Sequence, residues 1–308
     1  MGSSERYHKF HAKKHPPQQA FLLDQFSDND IRKWQAIKED ILKFYWDFHS
    51  ELAYQRSKII ESINSSLIKA SIKDFKFNKW QRAVKYKYSL DPLSTAGSLV
   101  DPGGRFNIGD IKPQFTQFPA LYIAFDKMTA LQELLSQNVK EGTDQEKQAF
   151  DFALTSTASV TNLSVSGALN SVIDLNKGNE LQNFVDLIKN FKIPDHLKES
   201  AKKINLPSVD LVTSVSILVN ALLDPNWRTN PMQFDVPATS QIFGHLAMEA
   251  GIEGIVYPSK FSGKDCLVIF PQNFEKNSKS FIQLDDAAPK EIKTRKLDAK
   301  IWNELKKC

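Results

Sequence analysis

Cysteine is nearly absent from this chain, with 2 among 308 residues, Cys266 and Cys308. Two thiols supply no disulfide framework, which points to a reducing compartment or to indifference to the redox setting. Charge of one sign is scarce as well. Forty Lys and Arg against 36 Asp and Glu leave +4, too weak a bias to name nucleic acid or an anionic membrane as partner. Long apolar runs are missing. The most apolar stretch, 212–223, is interrupted by Ser214, Ser216 and Asn220 and falls short of the roughly 20 residues that cross a bilayer. The opening Met-Gly-Ser-Ser-Glu-Arg-Tyr-His-Lys-Phe-His has no apolar signal core, which predicts a cytoplasmic product. Export by a non-classical route would leave the same trace. His8, His11 and His15 have metal-compatible spacing, yet no Cys or carboxylate completes a set. A solvated, flexible basic lead over 1–26 is the expectation, with no metal.

What is present can build a core. Hydrophobic residues make up 41% and charged residues 25%, a balance that excludes wholesale disorder. The length suits one large domain with additions, or two domains. A helical region is expected over 27–74. The run Ser27-Asp28-Asn29-Asp30 offers an N-cap, and Trp34, Ile37, Ile41, Phe44, Tyr45 and Phe48 recur at helical spacing. That stripe needs a cover, either the rest of the chain or a second copy in a homodimer. A second helix carries Leu52, Ile59, Ile60, Ile63 and Leu67.

From residue 75 the texture turns to strands and turns. Residues 79–84 and 120–125 predict strands, and Asp126 opens a helix that carries Glu133. Residues 161–175 alternate as another strand. A lysine-rich helical insertion is expected over about 179–207, and 209–223 fits helix or strand equally. A helix over 240–250, strands over 254–257 and 266–270, and a last helix over about 290–307 close the chain. The expected fold class is α+β, with a catalytic domain over 75–275 and a basic, helical C-terminal tail over 276–308.

The turn-rich segment 94–109 holds Asp101-Pro102-Gly103-Gly104-Arg105-Phe106-Asn107. Adjacent glycines let main-chain N–H groups approach a ligand, and an Arg beside them offers a fork for phosphate oxygens. It is neither a dinucleotide fingerprint nor a Walker loop, so hydride transfer and ATP hydrolysis lose their usual support. No H-E-x-x-H, G-x-S-x-G or metal-spaced cysteine pair occurs. Cys266, inside an apolar strand, reads as core. Taken singly, Glu133 could merely favour a helix dipole, Tyr122 could be core, and Ser259 could end a strand.

In order, Trp80-Gln81-Arg82, Gly103-Gly104-Arg105-Phe106-Asn107, Leu121-Tyr122-Ile123-Ala124, Thr129-Ala130-Leu131-Gln132-Glu133, Val172-Ile173-Asp174-Leu175, Thr239-Ser240-Gln241-Ile242-Phe243-Gly244 and Gly254-Ile255-Val256-Tyr257-Pro258-Ser259 resemble the RES domain family, named for its Arg, Glu and Ser. The resemblance covers about 75–271 outside the insertion. Phe106 stands where the family usually has Trp, and the N-terminal helices and insertion have no counterpart in the minimal family.

The resemblance implies a fold similar to ADP-ribosyltransferase toxins and cleavage of the nicotinamide–ribose bond of NAD+ by water or phosphate. NAD+ would be substrate, phosphate a co-substrate, and no cofactor would be held. A cognate antitoxin or immunity protein would restrain the activity. The carried-over site is Glu133, Arg82, Tyr122 and Ser259 as catalytic residues, and Arg105, Gly103, Gly104 and Asn107 as the NAD+-binding set. Physical reasoning agrees with one carboxylate: nicotinamide leaves neutral and needs no acid, so the usual glycosidase pair is unnecessary. Glu133 would hold a ribose hydroxyl and stabilise charge on the sugar. Arg82 and Arg105, with N–H groups at Gly103 and Gly104, would hold the diphosphate. Tyr122 would pack on a ligand ring, and Ser259 would orient nicotinamide or ribose. Two other readings share the scaffold: an ADP-ribosyltransferase acting on a protein or nucleic acid, and a non-catalytic binding module.

Overall fold

The computed structural model describes residues 28–135, 160–206, 209, 211–277, 279–286 and 289–305. The lead expected over 1–26, with its three histidines, lies outside them. The chain divides into two compact units: residues 1–47 with 194–209, and 48–193 with 210–308.

In the first unit lies most of helix α1 (Asp28–Ser57). Of the predicted stripe, Phe44 is buried, Ile41 and Tyr45 are half-buried, and Ile37 is exposed. Phe44 and Tyr45 meet edge to face at 5.5 Å.

The second unit is α+β, as expected. Helix α2 (Ile60–Ala70) leads into strand β1 (Ile72–Lys85). A two-stranded ribbon follows, β2 (Gly103–Gly104) and β3 (Asn107–Ile108), then β4 (Leu121–Ala124) and helix α3 (Lys127–Leu135). Next come β5 (Val160–Asp174) and helix α4 (Gln182–Ile188). Helix α5 (Asp195–Lys203) belongs to the first unit, so the predicted insertion is helical but shared between the two units. Helices α6 (Val215–Leu222), α7 (Thr229–Phe234) and α8 (Thr239–Glu249) precede β6 (Gly254–Pro258) and β7 (Asp265–Ile269). The ambiguous stretch 209–223 thus contains a helix, and the Ser214 hydroxyl caps it by accepting from Ile217 N.

The C-terminal segment departs from the helical expectation. It holds β8 (Phe281–Leu284), β9 (Lys296–Asp298) and only then a short helix, α9 (Ala299–Leu305). Strand β8 adds to β5, with Val165 opposite Leu284, a pairing over a hundred residues apart that local periodicity does not reveal.

The seven strands run β1-β4-β7-β6-β5-β8-β9, and β1 also pairs antiparallel with β5. Five strands therefore close on themselves, and β8 and β9 continue from β5. Both faces of the sheet are covered, which is why β6 and β7 read as continuous apolar runs. Along them the pleat sends Ile255, Tyr257, Cys266 and Val268 into one core, with α2, α4, α6 and α8. Val256, Leu267 and Ile269 go into the other, with Trp80, Phe274 and Trp302. This double anchoring fixes the ends of β1, β4 and β6, where the candidate site lies.

Candidate active site

A cleft of about 460 Å³ opens where these strand ends meet the β2–β3 ribbon, α3, residues 227–228 and the turn after β6. That volume suits a ligand of nucleotide size. Its lining includes Arg82, Lys85, Lys87, Arg105, Arg228 and Lys260 against Asp101 and Glu133, with aromatic surface from Tyr88, Tyr122, Trp227, Tyr257 and Phe261. Cations thus outnumber carboxylates, the balance an anionic ligand requires.

Apart from Arg105, the ribbon wall is internally saturated. Asn107 is fully buried and uses its whole amide: Oδ1 accepts from Gly104 N at 2.9 Å and from the Tyr122 hydroxyl at 2.8 Å. Its Nδ2 donates to Ser98 O at 2.7 Å and Phe118 O at 3.0 Å. Tyr122 in turn accepts from Phe106 N at 3.0 Å, and burial holds its phenol above the usual range. Gly103 sits at φ +94°, where a side chain would be strained, and donates its N–H to Val100 O at 2.7 Å. A Cβ on Gly104 would collide with the Tyr122 hydroxyl oxygen. From α8, the buried Gln241 reaches Pro102 O, Gly104 O and Asn107 O with Nε2 at 2.7, 3.2 and 3.0 Å.

Arg82, buried on β1, donates to Pro92 O, Tyr122 O and Ser94 O at 2.5, 2.9 and 2.8 Å. Burial lowers its pKa to about 10, with Asp91 opposing, so it stays charged at neutral pH. Arg105 uses Nη1 alone, donating to Asp224 O at 2.8 Å and more loosely to Leu222 O at 3.3 Å. Its other nitrogens make no hydrogen bond among the described residues.

The second wall begins at Glu133 on α3. Its Oε1 accepts from the Ser259 hydroxyl at 2.5 Å, while Ser259 Oγ accepts from Phe261 N at 3.2 Å and Ser262 N at 3.4 Å. Two further links run between α3 and this turn: Thr129 Oγ1 lies 2.9 Å from Ser262 Oγ, and Lys264 Nζ pairs with Asp126 Oδ2 at 2.5 Å. Lys260 and Phe261 project from the turn into the cleft lining. Arg228 stacks over the buried Trp227 ring at 4.6 Å.

Comparison with family models matches residues 79–289 to the RES domain. This chain belongs to the RES domain family. Every residue lining the cleft falls within the matched span. A chain of the M. tuberculosis MbcT–MbcA toxin–antitoxin complex, a solved structure, is 16% identical, with a TM-score of 0.38, and the alignment covers 80% of this chain and 98% of that one. A likeness so distant adds no argument of its own. No curated protein matches.

Within the RES domain, the structure brings Arg82, Gly103, Gly104, Arg105, Tyr122 and Glu133 to one cleft. Several expected contacts are redirected. The N–H groups of Gly103 and Gly104, expected to meet a diphosphate, are bonded to Val100 O and Asn107 Oδ1. Asn107, expected to touch substrate, has no amide capacity left and lies outside the lining. All three nitrogens of Arg82 are engaged by main-chain carbonyls. Tyr122 lines the cleft, but its hydroxyl is committed to the ribbon. Ser259, expected to face nicotinamide or ribose, is buried and reaches the cleft only through Glu133. Sequence reasoning missed Trp227, Arg228, Lys260 and Gln241. The first two stand in Asp224-Pro225-Asn226-Trp227-Arg228, where an aromatic beside an Arg in a Pro/Asn turn was the available signal. Among the described residues, no group of three His, Cys, Asp or Glu is placed to hold a metal, and no helix is long and apolar enough to cross a membrane.

Proposed function

We propose that this RES domain cleaves the nicotinamide–ribose bond of NAD+. The observation that carries the reading is Glu133: a carboxylate with a fixed donor on one oxygen, lining a cleft otherwise dominated by cations. Ser259 leaves Oε2 for a ribose hydroxyl. As the C–N bond breaks, its electron pair goes to nicotinamide, which departs neutral. Positive charge then builds on the ribose, and the Glu133 carboxylate stabilises it. Water or phosphate adds to the anomeric carbon from solution. With water, the oxygen that bonds to carbon sheds its proton to solvent. The cations favour the ADP-ribosyl part, whose diphosphate carries two negative charges.

Loss of NAD+ would harm any cell containing the active protein, so the setting we propose is a toxin restrained by a cognate antitoxin or immunity protein. Purified protein incubated with NAD+, with and without phosphate, should release nicotinamide, followed by NMR. Mass spectrometry should find ADP-ribose in the buffer without phosphate, or its 1-phosphate in the buffer that contains phosphate. A macromolecular acceptor would appear instead as mass added to protein or nucleic acid. Folded protein that releases no nicotinamide under any of these conditions overturns the reading.

A further inference from the structure

The cations of the cleft are not equivalent. Arg82 gives all three nitrogens to carbonyls. Arg105 is fixed by one nitrogen and keeps the rest of its fork. Arg228 and Lys260 make no side-chain hydrogen bond or ion pair among the described residues; each instead lies over an aromatic ring, Arg228 on Trp227 at 4.6 Å and Lys260 on Phe261 at 4.7 Å. The Trp227 ring also has the Arg105 guanidinium 6.0 Å from its centroid, so two forks attend one buried indole. Such stacking holds a guanidinium plane in place without consuming its N–H groups.

Electrostatics supports the same grouping. Burial is the first cause that lowers the pKa of Arg228, and repulsion from Arg105 is the second; the same two causes act on Lys260 in the same order. Glu133 offsets part of this in both. The three cations therefore repel one another, and a ligand carrying two negative charges would relieve them.

We propose that Trp227, Arg228 and Lys260 form, with Arg105, a subsite for a diphosphate, which makes the enzyme select a dinucleotide over a riboside. The inference rests on the NAD+ reading for the whole ligand, but its diphosphate half can be tested alone. A single phosphodiester, with one negative charge, would leave most of this charge unanswered. An extended nucleic-acid backbone would need an open basic groove rather than a cleft of about 460 Å³.

The test is calorimetric titration with ADP-ribose and with pyrophosphate, beside steady-state kinetics on NAD+ and nicotinamide riboside. Arg228→Ala should weaken ADP-ribose binding at least about tenfold and Lys260→Met about threefold, with Arg228→Lys between wild type and Arg228→Ala. KM for NAD+ should rise in step, kcat should stay within about threefold, and KM for the riboside should not move. The exposed Lys87 serves as control, and Lys87→Ala should change binding less than Arg228→Ala does. Equal losses in these two variants would indicate a diffuse field and overturn the subsite, as would an unchanged ADP-ribose dissociation constant in folded Arg228→Ala. Wild-type protein that binds pyrophosphate through Arg228 but never cleaves NAD+ would keep the subsite and sink the NAD+ reading. Cleavage of NAD+ with an unaltered KM in Arg228→Ala would do the reverse.

Discussion

On the ribbon wall of the cleft, Gly103, Gly104, Asn107, Tyr122 and Arg82 turn their polar atoms toward one another and toward main-chain carbonyls. On the wall made by α3, residues 227–228 and the turn after β6, Glu133 keeps an oxygen, and Arg228 and Lys260 keep all their donors. Arg105 apart, the first wall is conformationally determined and chemically quiet; the second is less tied down and has groups to offer. Polar residues clustered in a motif can thus be scaffold, while the reactive groups stand apart in sequence. Perturbing the two walls should move different observables, stability for the first and turnover or binding for the second.

The largest effect is expected at Glu133. Glu133→Gln keeps size and can still accept from Ser259, but removes the charge proposed to meet the developing oxocarbenium. Turnover should fall on the order of a thousandfold, while ADP-ribose affinity and thermal midpoint stay near wild type. A kcat within tenfold of wild type would place the chemistry elsewhere.

Asn107 is the corresponding test of the ribbon wall. Asn107→Ala leaves the N–H of Gly104, the Tyr122 hydroxyl and the carbonyls of Ser98 and Phe118 without this partner, one of these bonds buried and three part-buried. Buried groups left unpaired cost about 1–3 kcal/mol each, part of which relaxation recovers, so a loss of about 3 kcal/mol is expected. Urea unfolding measures it. A variant as stable as wild type would mean that the ribbon does not depend on this side chain.

Arg82→Lys should cost somewhat less, about 2 kcal/mol, because an ammonium can reach one or two of the three carbonyls but not in the guanidinium geometry. If instead stability holds and NAD+ affinity drops, Arg82 belongs with the binding cations, as its type alone suggested.

These contrasts also show what was legible in the sequence. The extents of β4, α8, β6 and β7 follow local signals: apolar runs buried on both faces, and a glycine at 251 after the helix. Glu133 and Ser259 were named, yet their hydrogen bond joins residues 126 positions apart, and no periodicity reports that. Strand β1 was expected over 79–84 and begins at Ile72, because the register shift between Phe77 and Trp80 and the positive φ of Lys79 break the alternation. Types pointed to ligand contacts for Arg82 and Asn107. Only the positions of Pro92, Ser94, Ser98 and Phe118 carbonyls reveal the competing partners. Trp227 and Arg228 follow an apolar stretch of undecided structure, so nothing local tied them to the glycine ribbon; Arg105 does so through Asp224 O.

The smallest effect expected is at the clamp between α3 and the turn after β6. Asp126, Thr129 and Glu133 lie at i, i+3 and i+7, one face of a helix, and contact Lys264, Ser262 and Ser259 in reverse order. The outer contact is a partly exposed ion pair, worth little by itself. Thr129, by contrast, is fully buried, and its hydroxyl meets Ser262 one turn before the carboxylate. On the proposed reaction, Thr129 acts as a positioning residue for Glu133. Thr129→Val keeps the shape, removes the hydroxyl, and should lower kcat about threefold at unchanged KM for NAD+, the size of one neutral hydrogen bond acting through geometry. Thr129→Ser, which restores the hydroxyl, should recover the rate. A merely structural role would lower the thermal midpoint of Thr129→Val and leave kcat untouched, and a rate that Thr129→Ser fails to recover would remove the hydroxyl from the account.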